Sequence, residues 1–586
     1  MMTNLGSFIK NLKAEKELIE ISAPVSARLE IAEIHRRIIV ANGPALLFTN
    51  VKDSDFPVVT NLFGTAKRID LAFNGEPEKV IERLAKLPFE LFPPTVSKFW
   101  ESRDLLKRVF KVGDRQIKSN SGVSANKLAG DQLNKLPFLK TWSQDGGDFL
   151  TLPLVYTEDP LTGVGNLGIY RMQRHDSARL GFHAQIGKGG GFHLKRAEQL
   201  GKKLPTAVYL GGPPALILAA IAPLPENISE LLFASLILGD KLNYVHLADF
   251  PYKILNDVEF CLIGEVDPEE FLPEGPFGDH YGFLSLRHDY PVFNCRRILH
   301  RDGAVFPATV VGKPRQEDYY LGEYLQKILS PLFPLVMPSV RRLWSYGESG
   351  FHSLAAAVVE ERYKREALVA GFRILGESQL ALTKFLILID RLIDLIDFQA
   401  VLEYVLARVD FRSDLYVFSN LSMDTLDYTG PKVNHGSKAI LLGMGEAIRD
   451  LPREFIGSVS LPPQIKKAAV FCAGCLLLET EPHTKRNELP AAIAKLKELA
   501  DWPLIILTDD CVKTSRSQID FIWGVFTRFE PAADIYSASS DVIRNHIAYQ
   551  SPIVIDARHK PSYPPELEVD SETKTLVDRR WREYGF

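Results

Sequence analysis

Residues 149–173 read FLTLPLVYTEDPLTGVGNLGIYRMQ. Two apolar runs, Phe149 to Thr157 and Val164 to Gln173, flank Glu158-Asp159-Pro160-Leu161-Thr162-Gly163. A short Asp-Pro-Gly turn between two such runs predicts an antiparallel hairpin. Outward from this hairpin, Ala207 to Leu210, Leu242 to Leu247, Glu259 to Val266 and Tyr290 to Leu299 also read as strands between Gly, Pro and Asp turns. Many short strands with two or three helices predict a barrel-like β domain with helical insertions over residues 116–320.

The flanks have a different texture. Ser7 to Ile19 and Ala27 to Val40 carry apolar residues at helical spacing, and Pro44 to Val51 and Pro57 to Leu62 read as strands. Residues 1–115 therefore form a small α/β unit closed by the Leu91-Phe92-Pro93-Pro94 stretch. Residues 321–586 alternate helical patterns, such as Ser353 to Tyr363, with strand runs. They also carry a faint internal repeat. Leu386 to Asp390, Ala407-Arg408 and Asp414 recur as Ile505 to Asp509, Thr527-Arg528 and Asp534. A duplicated lobe and two unrelated βα units both fit that pattern. The fold class is α/β in three parts, 1–115, 116–320 and 321–586.

A chain of 586 residues is too long for one core. Its 46% hydrophobic and 24% charged residues exclude a disordered chain. A net charge of −4 supplies no basic field for nucleic acid. Five cysteines in this length cannot form a disulfide framework, which favours a reducing cytoplasmic setting. Charges at Lys10, Lys13, Glu15 and Lys16 leave no signal-peptide core. Thr206 to Pro225 has no charge, but Gly211-Gly212-Pro213-Pro214 breaks it, so it reads as buried structure and not as a membrane span.

Four segments could carry chemistry. On the second hairpin strand, Asn166 offers a neutral oxygen and Arg171 a fixed cation, and Gly165 and Gly168 would let a ligand approach the backbone. Five residues of strand span about 16 Å, the length scale of a flavin mononucleotide. Gly187-Lys188-Gly189-Gly190-Gly191 before a helix suits an anion but is no Walker A loop. Glu230 opens a helix running to Gly239; it either complements the helix dipole or joins Asn166 as a hard-oxygen metal ligand. Glu274 and Asp279 sit in Pro273-Glu-Gly-Pro-Phe-Gly-Asp-His280, on a loop where an acid near Phe277 and one near Arg171 would have different proton affinities. Cys472-Ala473-Gly474-Cys475 has no second pair and reads as buried apolar structure. His352 and His435 lack partners at metal spacing, and no GxSxG elbow appears.

Read in order, these motifs resemble the UbiD family of decarboxylases. The likeness runs through Asn166 to Arg171, the 187–191 segment, Ser229-Glu230, Glu274 to His280, Pro307 to Pro314 and Asn434 to Lys438. It implies prenylated FMN in a split β-barrel like that of flavin reductases, between N- and C-terminal α/β domains. It also implies that Asn166 and Glu230 hold a divalent metal, Mn2+ first, against the cofactor phosphate, with K+ a further candidate. Ile169, Tyr170, Arg171, His183, Ala184, Gln185, Lys188 and Gly189 would contact the cofactor, and Arg171, Glu274 and Asp279 would form the acid–base network. Where some members have a histidine ligand after the Gly-rich loop, this chain has Gly191, with His193 two residues on.

The implied reaction is non-oxidative loss of CO2 from an aromatic or α,β-unsaturated acid, with Asp279 returning the proton. A flavin prenyltransferase would supply the cofactor, and the family associates as dimers or hexamers. Residues 440–455 and the sequence after them look more like menaquinone-route members than the shorter ubiquinone-type relatives. A polyprenylated substrate would bring peripheral membrane contact. An FMN oxidoreductase and a non-catalytic flavin carrier remain open alternatives.

Overall fold

The computed structural model describes residues 2–93, 95–101, 103–118, 121–184, 189–224, 228–456, 461–484 and 488–586. The chain divides into two compact units, residues 1–328 with 566–586, and residues 329–565.

In the first unit, the helix Leu5–Ala14 starts at Asn4, whose Oδ1 accepts the Ser7 N–H at 2.8 Å. Four short strands follow in the spatial order Leu18–Ile21, Ala45–Phe48, Val58–Thr60 and Phe306–Pro307. The expected helix at 27–40 is present as Glu30–Val40. The closing helix Ser571–Arg580 packs on it, with Arg37 pairing Asp578 at 2.6 Å.

Beside a three-stranded sheet of Asp114–Gln116, Leu242–Val245 and Ile254–Leu255 and a two-stranded one of Phe149–Leu150 and Met172–Gln173, the largest sheet of this unit has seven strands. Its strands are β1 (Asn126–Ala129), β2 (Leu154–Glu158), β3 (Gly165–Ile169), β4 (Arg179–Gly181), β5 (Leu204–Leu210), β6 (Phe260–Glu274) and β7 (His288–His300). The order is β4-β7-β6-β5-β2-β3 with β1 also on β7, and every pairing is antiparallel. Among the described residues the hydrogen-bonded path does not close. One core joins the four- and seven-stranded sheets, with Ile21, Phe48 and Val58 meeting Val155, Val208, Leu262 and Phe293. Three helices accompany the sheet: α1 (Gly189–Gln199), α2 (Pro214–Ile221) and α3 (Glu230–Leu238). Of the uncharged stretch, residues 206–210 belong to β5 and 214–221 form α2, separated by Gly211 and Gly212 at φ 74° and 103°. No described helix is long and apolar enough to cross a membrane.

The β2–β3 hairpin forms as its turn residues dictate. The Asp159 carboxylate accepts the Leu161 and Thr162 amides, and Gly163 takes φ 71°. The glycines of β3 serve a different purpose from the one expected. A Cβ on Gly165 would sit 2.4 Å from the Tyr156 hydroxyl, and one on Gly168 would sit 2.5 Å from the Tyr170 ring. Tyrosine rings, not open space for a ligand, cover the backbone there. A second correction concerns Glu274, which ends β6 and does not lie on the loop beyond it. The strand continues past Val266 because a register shift between Asp267 and Phe271 absorbs Pro268.

The second unit holds two five-stranded sheets. The first runs Val340–Ser345, Leu354–Val359, Phe385–Ile389, His435–Gly443, Leu415–Ser422; the second runs Ile465–Cys472, Cys475–Thr480, Leu504–Thr508, Ile553–Asp556, Ile535–Ser537. The successive pairings in each are antiparallel, parallel, parallel and antiparallel. The repeated residues occupy matching places. Asp390 Oδ2 accepts the Gly445 amide at 2.7 Å, and Asp509 Oδ2 accepts the His559 amide at 2.8 Å. Asp414 accepts the Asp410 amide, and Asp534 accepts the Glu530 amide. The faint repeat is therefore a structural one. Helices Phe398–Leu406 and Gln518–Phe526 contribute to a core shared by both sheets. The helix expected at 353–363 is instead the strand Leu354–Val359, buried at every position. A strand covered on both faces shows no alternation, so its alanine-rich sequence mimics a helix. Cys472 and Cys475 face each other across a buried hairpin, as the apolar reading of that segment requires.

Candidate active site

The segment Asn166–Arg171 leaves the sheet at Ile169 and carries two groups of polar residues, one at each end. At the first end, Asn166 Nδ2 donates to the Tyr170 hydroxyl at 3.2 Å, which also accepts the Gly190 amide at 3.3 Å. This ties the start of α1 to β3. A Cβ on Gly189 would lie 2.1 Å from Asn166 Oδ1, so only glycine permits the approach. Ser229 caps α3, and Glu230 Oε2 accepts the Leu167 amide at 2.9 Å. Asn166 and Glu230 are thereby brought to neighbouring positions, as a shared site requires. Burial raises the Glu230 proton affinity, partly offset by that amide. His193 lies close by but is committed: its Nδ1 is 2.9 Å from Thr157 Oγ1, and burial lowers its pKa to about 4. Thr157 is the cross-strand partner of Asn166.

At the other end, Arg171 Nε donates to Glu274 Oε1 at 3.1 Å. The guanidinium also donates to Ser285 Oγ at 3.2 Å and lies over the Phe277 ring, 4.5 Å from its centroid. His183 Nδ1 meets the same Glu274 oxygen at 2.8 Å. Burial works against the Glu274 charge, but His183 and Arg171 overcome it and hold the carboxyl below its usual range. Burial, with Arg171, lowers the His183 pKa, and Glu274 opposes that shift. Among the described residues, Glu274 Oε2 is buried with no hydrogen-bond partner.

Asp279 is carried on the loop between β6 and β7. The loop is built tightly: Gln173 Oε1 accepts the Gly275 amide, Asp145 Oδ1 accepts the Gly278 amide, and Ser285 Oγ accepts the Phe277 amide. A Cβ on Gly278 would sit 2.2 Å from Trp142, which fixes glycine there. The buried Asp279 carboxylate accepts the Tyr281 amide at 2.8 Å, and its own amide donates to Phe283 O. Ser285 thus links the Phe277 end of this loop to Arg171.

Ile169 ends β3, and Ala184 lies half-buried against the core after His183. Gln185 and Lys188 fall outside the described residues. Sequence reasoning missed Ser285, Gln173, Asp145, Tyr290 and His175. The Tyr290 ring lies 4.2 Å from His183, and burial raises its pKa to about 12. His175 has its pKa lowered by burial, with Glu274 opposing that shift. These residues meet through strand register, which no local motif reports.

Three family models of the 3-octaprenyl-4-hydroxybenzoate carboxy-lyase UbiD match the chain. The N-terminal domain matches residues 9–87, the Rift-related domain 115–314 and the C-terminal domain 319–443. The chain belongs to the UbiD family. It is therefore a carboxy-lyase. A protein of Chlamydia pneumoniae, named as a subunit of 4-hydroxybenzoate decarboxylase, is 50% identical over 583 residues, covering 100% of this chain and 98% of its own length. Vanillic acid decarboxylase of Sedimentibacter hydroxybenzoicus, in closed form, shares the fold at TM-score 0.67 and 23% identity, covering 79% of this chain and 96% of that one. The UbiD-class enzyme HmfF of Pelotomaculum thermopropionicum, solved with FMN, superposes at TM-score 0.63 and 22% identity, covering 78% of this chain and 97% of its own. The matched C-terminal model stops at residue 443, so the second sheet of the repeat lies beyond it.

Proposed function

We propose that this UbiD family member removes CO2 from a hydroxybenzoate- or naphthoate-like acid in quinone biosynthesis, using prenylated FMN and a divalent metal. The observation that carries the reading is the Arg171–Glu274–His183 cluster at one end of a segment whose other end holds Asn166 and Glu230. The three-part division at residues 115 and 320, with the central antiparallel sheet as a split barrel, belongs to the same reading and is supported by the matched model bounds.

The residues present fit both groups. Asn166 and Glu230 offer hard oxygens of the kind Mn2+ or Mg2+ accepts. No three described His, Cys, Asp or Glu residues form a metal cluster, so phosphate and water oxygens would complete the shell. The start of α1 at Gly189 and Gly190 lies beside Asn166, its Gly190 amide held by the Tyr170 hydroxyl. When bound, the modified flavin supplies the electron sink that loss of CO2 from an sp2 carbon demands.

The side chains do the rest. Arg171, fixed by Glu274, Ser285 and Phe277, orients the substrate carboxylate and polarises it. Glu274 stays ionised and keeps Arg171 and His183 in place. Asp279 delivers a proton to the carbon that CO2 leaves, and buried surroundings exclude competing water. The 4-hydroxybenzoate name of the chlamydial relative supports a phenolic acid. CO2 release from 4-hydroxybenzoate by Asp279→Asn tests the assignment. Turnover is abolished while flavin absorbance is unchanged; a variant that keeps turnover, or loses the flavin with it, overturns the role.

A further inference from the structure

Two buried polar atoms of the first unit lack a partner and meet at one glycine. Glu274 Oε1 meets Arg171 Nε and His183 Nδ1, while its Oε2 has no hydrogen-bond partner among the described residues. The Nε2 of His175 is likewise buried and unpartnered among them. Both atoms converge on Gly181 in β4. A Cβ there would lie 2.8 Å from Glu274 Oε2 and 3.3 Å from His175 Nε2. The two atoms are therefore at most about 6 Å apart, within reach of one bridging water. Buried polar groups are nearly always hydrogen-bonded, so two such atoms at one place call for a joint role.

His175 stands on the turn between Met172–Gln173 and β4. Asp176 builds that turn: its Oδ1 accepts the Ala178 and Arg179 amides at 2.9 and 2.8 Å, and the His175 amide donates to Arg179 O at 3.0 Å. Asp176 and Ser177 are exposed, so the half-buried His175 lies between the surface and the fully buried Glu274. The other charges facing the ring are Asp176, Arg179 and Glu270. Arg179 pairs with Asp176 at 2.7 Å and with Glu270 at 3.2 Å, and the second Glu270 oxygen accepts from Asn294. Of the three acids, only Glu274 keeps an oxygen uncommitted among the described residues.

Replacing a carboxylate by hydrogen consumes one proton for each CO2 released. A buried acid that gives its proton to carbon must therefore be recharged from solvent before the next turnover. Imidazole suits that task, because it takes a proton on one ring nitrogen and releases one from the other.

We propose that His175 is the solvent-side member of a proton path that recharges the acid–base cluster through Glu274 Oε2, an inference that rests on the decarboxylase reading above. His175 Nδ1 takes a proton from solvent and Nε2 passes its own to Glu274 Oε2. Glu274, ionised at rest, hands that proton on to Asp279. His175 acts through Glu274 and not on the substrate. Two measurements on the full chain test this. In the flavin-free protein, magnetic resonance of labelled histidine rings follows the His175 titration, with His175→Gln assigning the signal. The Glu274 charge raises the proton affinity of the ring, so the His175 pKa should fall in Glu274→Gln. In protein co-produced with a flavin prenyltransferase, His175→Ala should lower kcat for CO2 release from 4-hydroxybenzoate by about tenfold or more, with KM and flavin absorbance unchanged. Added imidazole should restore the rate. His175→Gln, which keeps a donor but relays no proton, should stay slow. An unshifted His175 pKa, wild-type turnover in either variant, or a loss that imidazole does not restore overturns the path. A wild-type protein that releases no CO2 overturns the decarboxylase reading and the path with it, while the titration separately reads the contact.

Discussion

Replacing Glu274 with Gln isolates the charge that holds the acid–base cluster together. One buried oxygen, Glu274 Oε1, receives both Arg171 Nε at 3.1 Å and His183 Nδ1 at 2.8 Å. Glutamine keeps the shape and one acceptor but removes the charge. Hydrogen bonds to charged groups contribute about 1.5–3 kcal/mol, against about 0.5–1.5 for neutral ones. Two bonds that lose their charge assistance, with Arg171 only 12% exposed, put the cost at roughly 2–4 kcal/mol. Because the chain has two compact units, one melting temperature would blur the effect. Native-state hydrogen exchange of residues 165–171 and 272–274 reads it locally. A cycle with Arg171→Met should give a coupling energy of about 1–3 kcal/mol. The sign with pH is fixed: the folded pKa of Glu274 lies below its ordinary value, so the contribution is complete above that value. It is lost as pH falls through the lowered folded pKa, and Glu274→Gln removes this dependence. A coupling below about 0.5 kcal/mol would refute the anchoring of Arg171 by Glu274.

Gly189→Ala places a methyl 2.1 Å from Asn166 Oδ1, so flavin occupancy and Mn2+ affinity should both fall at least tenfold while the circular dichroism spectrum is retained. Ser285→Ala removes the acceptor shared by Arg171 and the Phe277 amide. It should lower turnover by about tenfold, worth about 1.4 kcal/mol, with the flavin spectrum unchanged. His35 lies buried in the helix Glu30–Val40, and burial, then Arg36 and Arg68, lowers its pKa to about 3. Between pH 6.5 and 3 the unfolded chain takes a proton that the folded one refuses, so the first unit loses stability as pH falls. His35→Leu should flatten that slope in acid denaturation followed by hydrogen exchange.

Much of the fold was legible where local rules and tertiary structure agree. The Asp-Pro-Gly turn marked the β2–β3 hairpin, and Ser229 with Gly239 bounded α3, Gly239 taking φ 74°. The repeat of Asp390 and Asp414 as Asp509 and Asp534 marked two sheets of one topology. Legibility ended where burial erased periodicity, as in Leu354–Val359, and where a bulge carried a strand through polar sequence, as β6 passes Asp267 to Glu270. At the site, Asn166, Glu230, Arg171 and Glu274 stood out as charged or amide residues in motifs. The partners that set their chemistry did not. His183 lies 91 positions from Glu274 and reaches it through β4 and β7, while Ser285 returns to Arg171 only because the loop folds back between β6 and β7.

The proposed function requires a prenylated flavin along Asn166 to Arg171, with its reactive end at the Arg171–Glu274 pair. Mass and ultraviolet–visible spectra of the protein co-produced with a flavin prenyltransferase decide whether it is there. The expected species is a bound flavin heavier than FMN by one five-carbon unit, lost from Gly189→Ala and kept by Asp279→Asn. Unmodified FMN bleached by NAD(P)H, or no flavin in the intact protein, would show the reverse.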